Sequence, residues 1–182
     1  MKNIITITTL LFTGLTGVLN AQVAIGDATG TASVKTSVLL DFAAGQNKGI
    51  ILPYVRTLPA SPAEGTLVLD ASDATKARIK YYNGSWIDLS GQDADISAVM
   101  ATQPTAAQAP EPANAKTVIG AASSTANGVL VLESTTKSMI LPIVQDVQNI
   151  PSPSPGMMVY INKSGAKRLA VYNGSKWSYW RQ

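Results

Sequence analysis

Lys48-Gly49-Ile50-Ile51-Leu52-Pro53 decides the reading of this chain, because it is written again as Lys137-Ser138-Met139-Ile140-Leu141-Pro142. Downstream, Ser61-Pro62-Ala63-Glu64-Gly65 returns as Ser152-Pro153-Ser154-Pro155-Gly156. Tyr82-Asn83-Gly84-Ser85-Trp86 returns as Tyr172-Asn173-Gly174-Ser175-Lys176-Trp177. Landmarks in the same order at near-constant separation define an internal duplication. What recurs is turn and core chemistry, not a constellation of reactive groups.

Around these landmarks the periodicity is that of short strands. Val23-Ala24-Ile25-Gly26 is an apolar strand ending at glycine, and Thr117-Val118-Ile119-Gly120 is its counterpart. Val34 to Phe42 follows, continuous enough at Val38, Leu39 and Leu40 for burial on both faces; Gly128 to Glu133 matches it, with Glu133 in the place of Asp41. Gly49 to Val55 and Ser138 to Val144 each contain a proline, which offers no ladder donor and belongs at an edge or a bulge. Gly65 to Asp70 alternates like a half-buried strand, and Gly156 to Ile161 corresponds to it.

Arg78 to Leu89 reads as a hairpin about Asn83-Gly84, a pair that favours a two-residue type I′ turn. That register sets Tyr82 opposite Ser85 and Tyr81 opposite Trp86. Arg168 to Tyr172 and Lys176 to Arg181 form the second hairpin. There Lys176 is one residue extra, so a longer loop or a bulge is expected, shifting the face on which Trp177 lies.

The fold class is therefore all-β, in two homologous small units from Gln22 to Ser90 and from Lys116 to Gln182, with the brief strands packed as a sandwich. Between them, Gly91 to Ala115 is an Ala/Pro-rich linker. Asp93 to Ala101 fits one short helix with Ile96, Val99 and Met100 on one face, and Gln103 to Asn114 fits a semi-extended bridge. A unit this small buries only about 60% of its chain surface on folding. The copies are expected to share a core or to be stabilised by other subunits.

Met1 to Ala21 reads as a secretory signal: Lys2 in the n-region, an apolar stretch from Ile4 to Leu19, and small Ala21 before the cut. Its threonines and glycines dilute it below the roughly 20 apolar residues that a membrane anchor needs. The expected location is extracellular or at the cell surface, with no membrane span in the mature chain. Lys and Arg number 14 against 11 Asp and Glu, with no basic stripe, so no nucleic-acid partner is expected. The chain has no Cys and no His. That excludes a disulfide framework, a Cys/His zinc site, a Ser-His-Asp triad and a Cys-His pair.

The ordered series resembles a repeat of secreted surface proteins of flavobacterial type, in which a V-G-I-G-T phrase precedes L-L-P-R and Y-N-G-x-x-W. Its elements here are the Ile-Gly strand, Lys-x-Ile-x-Leu-Pro, the Pro-x-x-Gly turn and the closing Tyr-Asn-Gly-x-x-Trp, and it covers nearly all of the mature chain twice. The chain departs from it at Tyr54 and Ile143, where arginine is common after Leu-Pro. The resemblance implies an exported, β-rich protein with adhesive or structural roles. Similar Gly-Ile-Gly phrases occur in trimeric fibres of tail-fibre type. With no secretion domain or fibre-trimerising chaperone domain recognisable in these residues, neither an export route nor a trimeric state is carried over.

The expected function is a non-enzymatic structural or adhesion protein, a subunit of a fibre or filament that associates with itself or with other surface proteins through strand edges and apolar faces. Val23 and Ile25, near the new N-terminus, mark the segment expected to be exchanged between neighbours. The alternative is a carbohydrate-binding module stacking a glycan on Tyr81, Trp86, Trp177 and Trp180; the structural explanation is that such rings stabilise hairpins and cap thin cores. No catalytic residue, cofactor or metal is assigned. Asp70 with Asp73, and Asp93 with Asp95, lack a complete calcium loop and read as solvated loop charges. Asn83 and Asn173 fit a glycosylation pattern that turn formation already explains. Arg78 and Arg168 recur at matching places, as salt-bridge or anion contacts.

Overall fold

A computed structural model describes residues 22–112 and 115–180, so the proposed signal segment lies outside the described residues. The first copy contributes β1 (Val23–Ile25), β2 (Val38–Phe42), β3 (Ile50–Ile51), β4 (Tyr54–Val55), β5 (Leu67–Asp70), β6 (Arg78–Tyr82) and β7 (Trp86–Asp88). After helix α1 (Ser97–Met100), the second copy repeats the series as β8 (Thr117–Ile119), β9 (Leu130–Leu132), β10 (Ser138–Met139), β11 (Ile143–Val144), β12 (Met157–Ile161), β13 (Arg168–Tyr172) and β14 (Trp177–Trp180). The protein is nearly all β, as its periodicities require. Its described strands form four small sheets in a solenoid-like arrangement instead of the two facing sheets of a sandwich.

Two of these sheets cross the boundary between copies. Strand β2 lies between β1 of its own copy and β10 of the other, both parallel to it. Strand β12 takes β3 of the first copy on the same edge as its own β11, at opposite ends, with Met158 beside Ile50 and Ile143 beside Tyr160. The main core is likewise common: Leu52, Leu69 and Ile79 pack with Ile96 and Met100 of the linker and with Met158 and Val171 of the second copy. A second cluster, including Val144, Ile150, Val159 and Ile161, belongs to the second copy.

The Leu-Pro pair explains the broken third strand. Pro53 and Pro142 cannot donate to a ladder, so the strand stops there and resumes in a different sheet. Each proline still accepts: Leu69 N–H donates to Pro53 O and Tyr160 N–H to Pro142 O, both at 2.9 Å. Close approach fixes the residue before β3, since a Cβ at Gly49 would stand 2.5 Å from Met157 Cγ and 2.9 Å from Met158 O.

Several local expectations change. The first hairpin pairs Tyr82 with Trp86 and Tyr81 with Ile87, around a three-residue loop in which Asn83 N–H donates to Ser85 O. The T-shaped contact of Tyr82 and Trp86, at 5.3 Å between ring centroids, displaces the two-residue turn. Tyr172 likewise pairs with Trp177, their rings tilted by 41° with centroids 5.2 Å apart. Lys176 is absorbed by a longer loop and does not shift the face of Trp177. Strand β5 does not alternate: Val68, Leu69 and Asp70 are all buried, because its sheet is covered on both sides at that end. Of the helix residues, Ile96 and Met100 are buried while Val99 faces outward.

Glu133 does not occupy the position of Asp41. Ile25 lies beside Phe42 and Ile119 beside Leu132, so ladder register aligns Leu40 with Leu130 and Ala43 with Glu133. The two carboxylates nonetheless do similar work, Asp41 tying down the loop after β1 and Glu133 accepting from the Ser124 hydroxyl in the loop after β8.

Asp41 is 1% exposed. It accepts from Ala32 N–H at 2.9 Å, Phe42 N–H at 2.8 Å and the Lys35 ammonium at 2.5 Å. Asp70, expected to be a solvated loop charge, is instead a buried strand residue that accepts from Lys80 at 2.7 Å and from the Ser72 hydroxyl and N–H. Burial pushes both carboxyls up, but the hydrogen bonds, led by those of Lys35 and Lys80, outweigh it and hold both below the ordinary value. A depressed folded-state pKa contributes stability that is complete above the unfolded value and lost as pH falls through the folded one.

Two outcomes follow from this packing. The urea midpoint of the protein is expected to fall as pH drops below about 4, and Asp41→Asn to cost about 1–3 kcal/mol at neutral pH while flattening that acid decline. Residues 22–90 or 116–182 expressed alone are expected to lack a cooperative thermal transition, since either piece loses partners from the shared core; calorimetry at high dilution checks this.

Candidate assembly interface

Strand edges and side chains the fold leaves uncovered are the features from which this chain can build a contact. The large apolar residues most open to solvent include Val23 and Ile25 on β1, Ile51 on β3, Leu130 on β9 with Val129 just before it, and Trp180 on β14. Val23 and Ile25 point to one side of β1, as residues two apart do in a strand. One edge of β1 is already engaged in cis, where Ala43 N–H donates to Ile25 O at 2.9 Å.

The duplicated second strands differ sharply in their surroundings. In β2, Val38, Leu39, Leu40 and Asp41 are all buried, and both edges of the strand are paired. Strand β9 pairs with β8 alone among the described strands, and Leu130 is 47% and Val129 53% exposed. Thr117 N–H donates to Val129 O and Glu133 N–H to Ile119 O, so odd-numbered residues of β9 face β8. Main-chain groups of Leu130 and Leu132 point to the other edge. A flat apolar edge of this kind is a template for another strand.

The aromatic residues are not brought together. Trp86 and Trp177 belong to different sheets, and Tyr81 lies on the opposite face of its hairpin from Trp86. Both tryptophans are half-buried. Trp180 bridges the copies, its indole N–H donating to Leu89 O at 2.9 Å. Beside it the Ser178 hydroxyl donates to Ser90 O, and Arg168 stacks 4.3 Å above the Tyr179 ring. Arg78 instead holds Asp88 at 2.6 Å and Asp93 at 2.7 Å, so the two matching arginines do different work. Asp73 and Asp95 close local turns with Thr75 and Ser97.

Other polar contacts lock the copies together. The Tyr54 hydroxyl donates to Pro155 O at 2.6 Å. Fully buried Asn173 donates through Nδ2 to Gln92 O at 2.8 Å and accepts from Ser175 and Lys176 N–H at 3.0 Å. The sequence reading missed Ile51, Val129 and Leu130 as surface features. Their apolar runs look like buried strands, and only the missing neighbour shows otherwise. No described helix is long and apolar enough to cross a membrane.

A family model described as a phage tail-like trimerisation region matches residues 28–108 and 118–182, one segment over each copy. No curated protein and no solved structure matches the chain. The family description supports self-association and a structural role.

Placing a charge on the open strand checks whether it is a contact surface. Leu130→Lys is expected to leave the thermal midpoint within the range of a surface substitution, about 0.5 kcal/mol, and to lower the mass measured by light scattering after size exclusion.

Proposed function

Because the chain belongs to the phage tail-like trimerisation region family, we propose that it is a non-enzymatic structural protein that works as a trimer, exported and displayed outside the cell as a subunit of a surface fibre or filament. One observation carries this reading: the family match extends over both copies, covering most of the chain. The open apolar edge at Leu130 supports it, since a strand left unpaired on one side is completed by a neighbour's backbone. The apolar N-terminal stretch and the resemblance to secreted surface repeats support the extracellular location.

In this reading the mechanism is mechanical. Strand pairing supplies direction through hydrogen bonds, and apolar side chains supply the area removed from water. Adhesion to other surface proteins then rests on multivalent display by the assembled fibre.

Sedimentation equilibrium of residues 22–182 is expected to give three times the mass of one chain, unchanged on reduction because no thiol is present. A monomer at all concentrations overturns the proposal.

A further inference from the structure

The third strands of the two copies are each half-used, and the unused halves are complementary. Leu52 N–H donates to Gly156 O at 3.0 Å, so residues 50 and 52 turn toward β12 while the main-chain groups of Gly49 and Ile51 face away. In the second copy the opposite edge is engaged. Ser138 N–H donates to Ser37 O and Ile140 N–H to Leu40 O, both at 2.8 Å, leaving residues 139 and 141 facing away from β2. One copy shows what the inner edge of this strand binds, and the other shows what its outer edge binds.

Together they define a rule of order. A third strand lies between the second strand of the preceding copy, as β10 lies on β2, and the fifth strand of the following copy, as β3 lies on β12. Both pairings obey the order first copy, then second copy. Two places remain vacant under the same rule. Among the described strands, β9 lacks the third strand that β2 has, and its free edge carries the exposed Leu130. Strand β5 is paired with β4 only from Leu69 onward, whereas β12 is also covered at Met158, the counterpart of Leu67.

We infer that a second copy of this chain fills both vacancies in one head-to-tail junction: the partner's β3 lies parallel on β9, and β10 lies antiparallel on the partner's β5. The inference deepens the proposed trimer by naming its contact surface. The junction continues the one within the chain, with the partner's first copy following the second copy as the second follows the first. Side chains at the vacant places fit it. Ile51 and Leu130 are 51% and 47% exposed, the surface a parallel pair would cover. Where Gly49 leaves room for Met157, Ser138 would meet the partner's Thr66, a larger residue facing a smaller one. A junction between two different surfaces closes into a ring or runs on as a filament; three chains close the ring in the proposed function.

The absence of native cysteine makes the test direct. Register places the partner's Ile50 beside Leu130, as Met139 lies beside Leu40. Ile50→Cys and Leu130→Cys chains are purified, checked by circular dichroism, refolded singly and as an equimolar mixture, and oxidised. The mixture is expected to give a chain pair on a non-reducing gel, and neither variant alone to give one. Cross-linking within one variant alone, or none in a mixture that sediments as a trimer, overturns the junction and leaves the trimer standing. A cross-linked mixture whose mass is not that of a trimer supports the junction and overturns the threefold count. Monomers that never cross-link overturn both.

Discussion

Everything in this fold depends on a strand that proline will not let run straight through one sheet. At Leu52-Pro53 and Leu141-Pro142 the backbone loses a donor, and the residues before and after the break join different ladders. Those after it, β4 and β11, lie parallel to the fifth strand of their own copy, β5 and β12. Those before it reach into the other copy, β3 on β12 and β10 on β2. Each copy therefore lends a strand outward and cannot complete its sheets alone. The shared core around Leu69, Ile79, Met158 and Val171 follows from that loan.

Identical motifs consequently end in different environments. Gly49 allows β3 to press against Met157, whereas Ser138 in the same motif position lies on β2, where there is space for a hydroxyl that donates to Ser37 O. Arg78 gathers two carboxylates, and Arg168 covers Tyr179. Asn83 stands in an exposed loop while Asn173 is buried as a bracket between the second hairpin and Gln92 of the linker. A duplicated sequence folded as one body breaks its own symmetry, because each copy has the other on only one side.

The parts legible beforehand were those governed by local chemistry. The short strands, the all-β class, the hairpins and the interruption at proline follow from turn residues and apolar periodicity, which act over a few residues. What escaped depended on distant partners. The one-residue change in hairpin register came from the Tyr82–Trp86 ring contact outweighing the turn preference of Asn83-Gly84. Burial of Asp70 came from Lys80 across the ladder, and the two-residue offset between Asp41 and Glu133 from pairing with β1 and β8. Val23 and Ile25, expected to mark a segment exchanged between neighbours, are exposed on β1, yet the exposure of Leu130 was invisible, since its run reads as core until no second neighbouring strand is found among the described ones.

The exposed edge also bears on why the chain can dispense with covalent staples. Val129-Leu130-Val131-Leu132 is an apolar β-forming run bounded by Gly128 and Glu133, with no lysine or proline inside it to discourage pairing. Left bare, such an edge invites indiscriminate association. A protein that keeps it must meet it with a defined partner strand, and among the described elements the only third strand in this chain with an unused outer edge is β3. Hydrogen bonds at that edge would fix register, while the size exchange between Gly49 and Ser138 on one side and Met157 and Thr66 on the other would discriminate between matching and slipped alignments. Stability and specificity then come from one source, burial of surface that a lone chain cannot cover, and no disulfide is required to supply either.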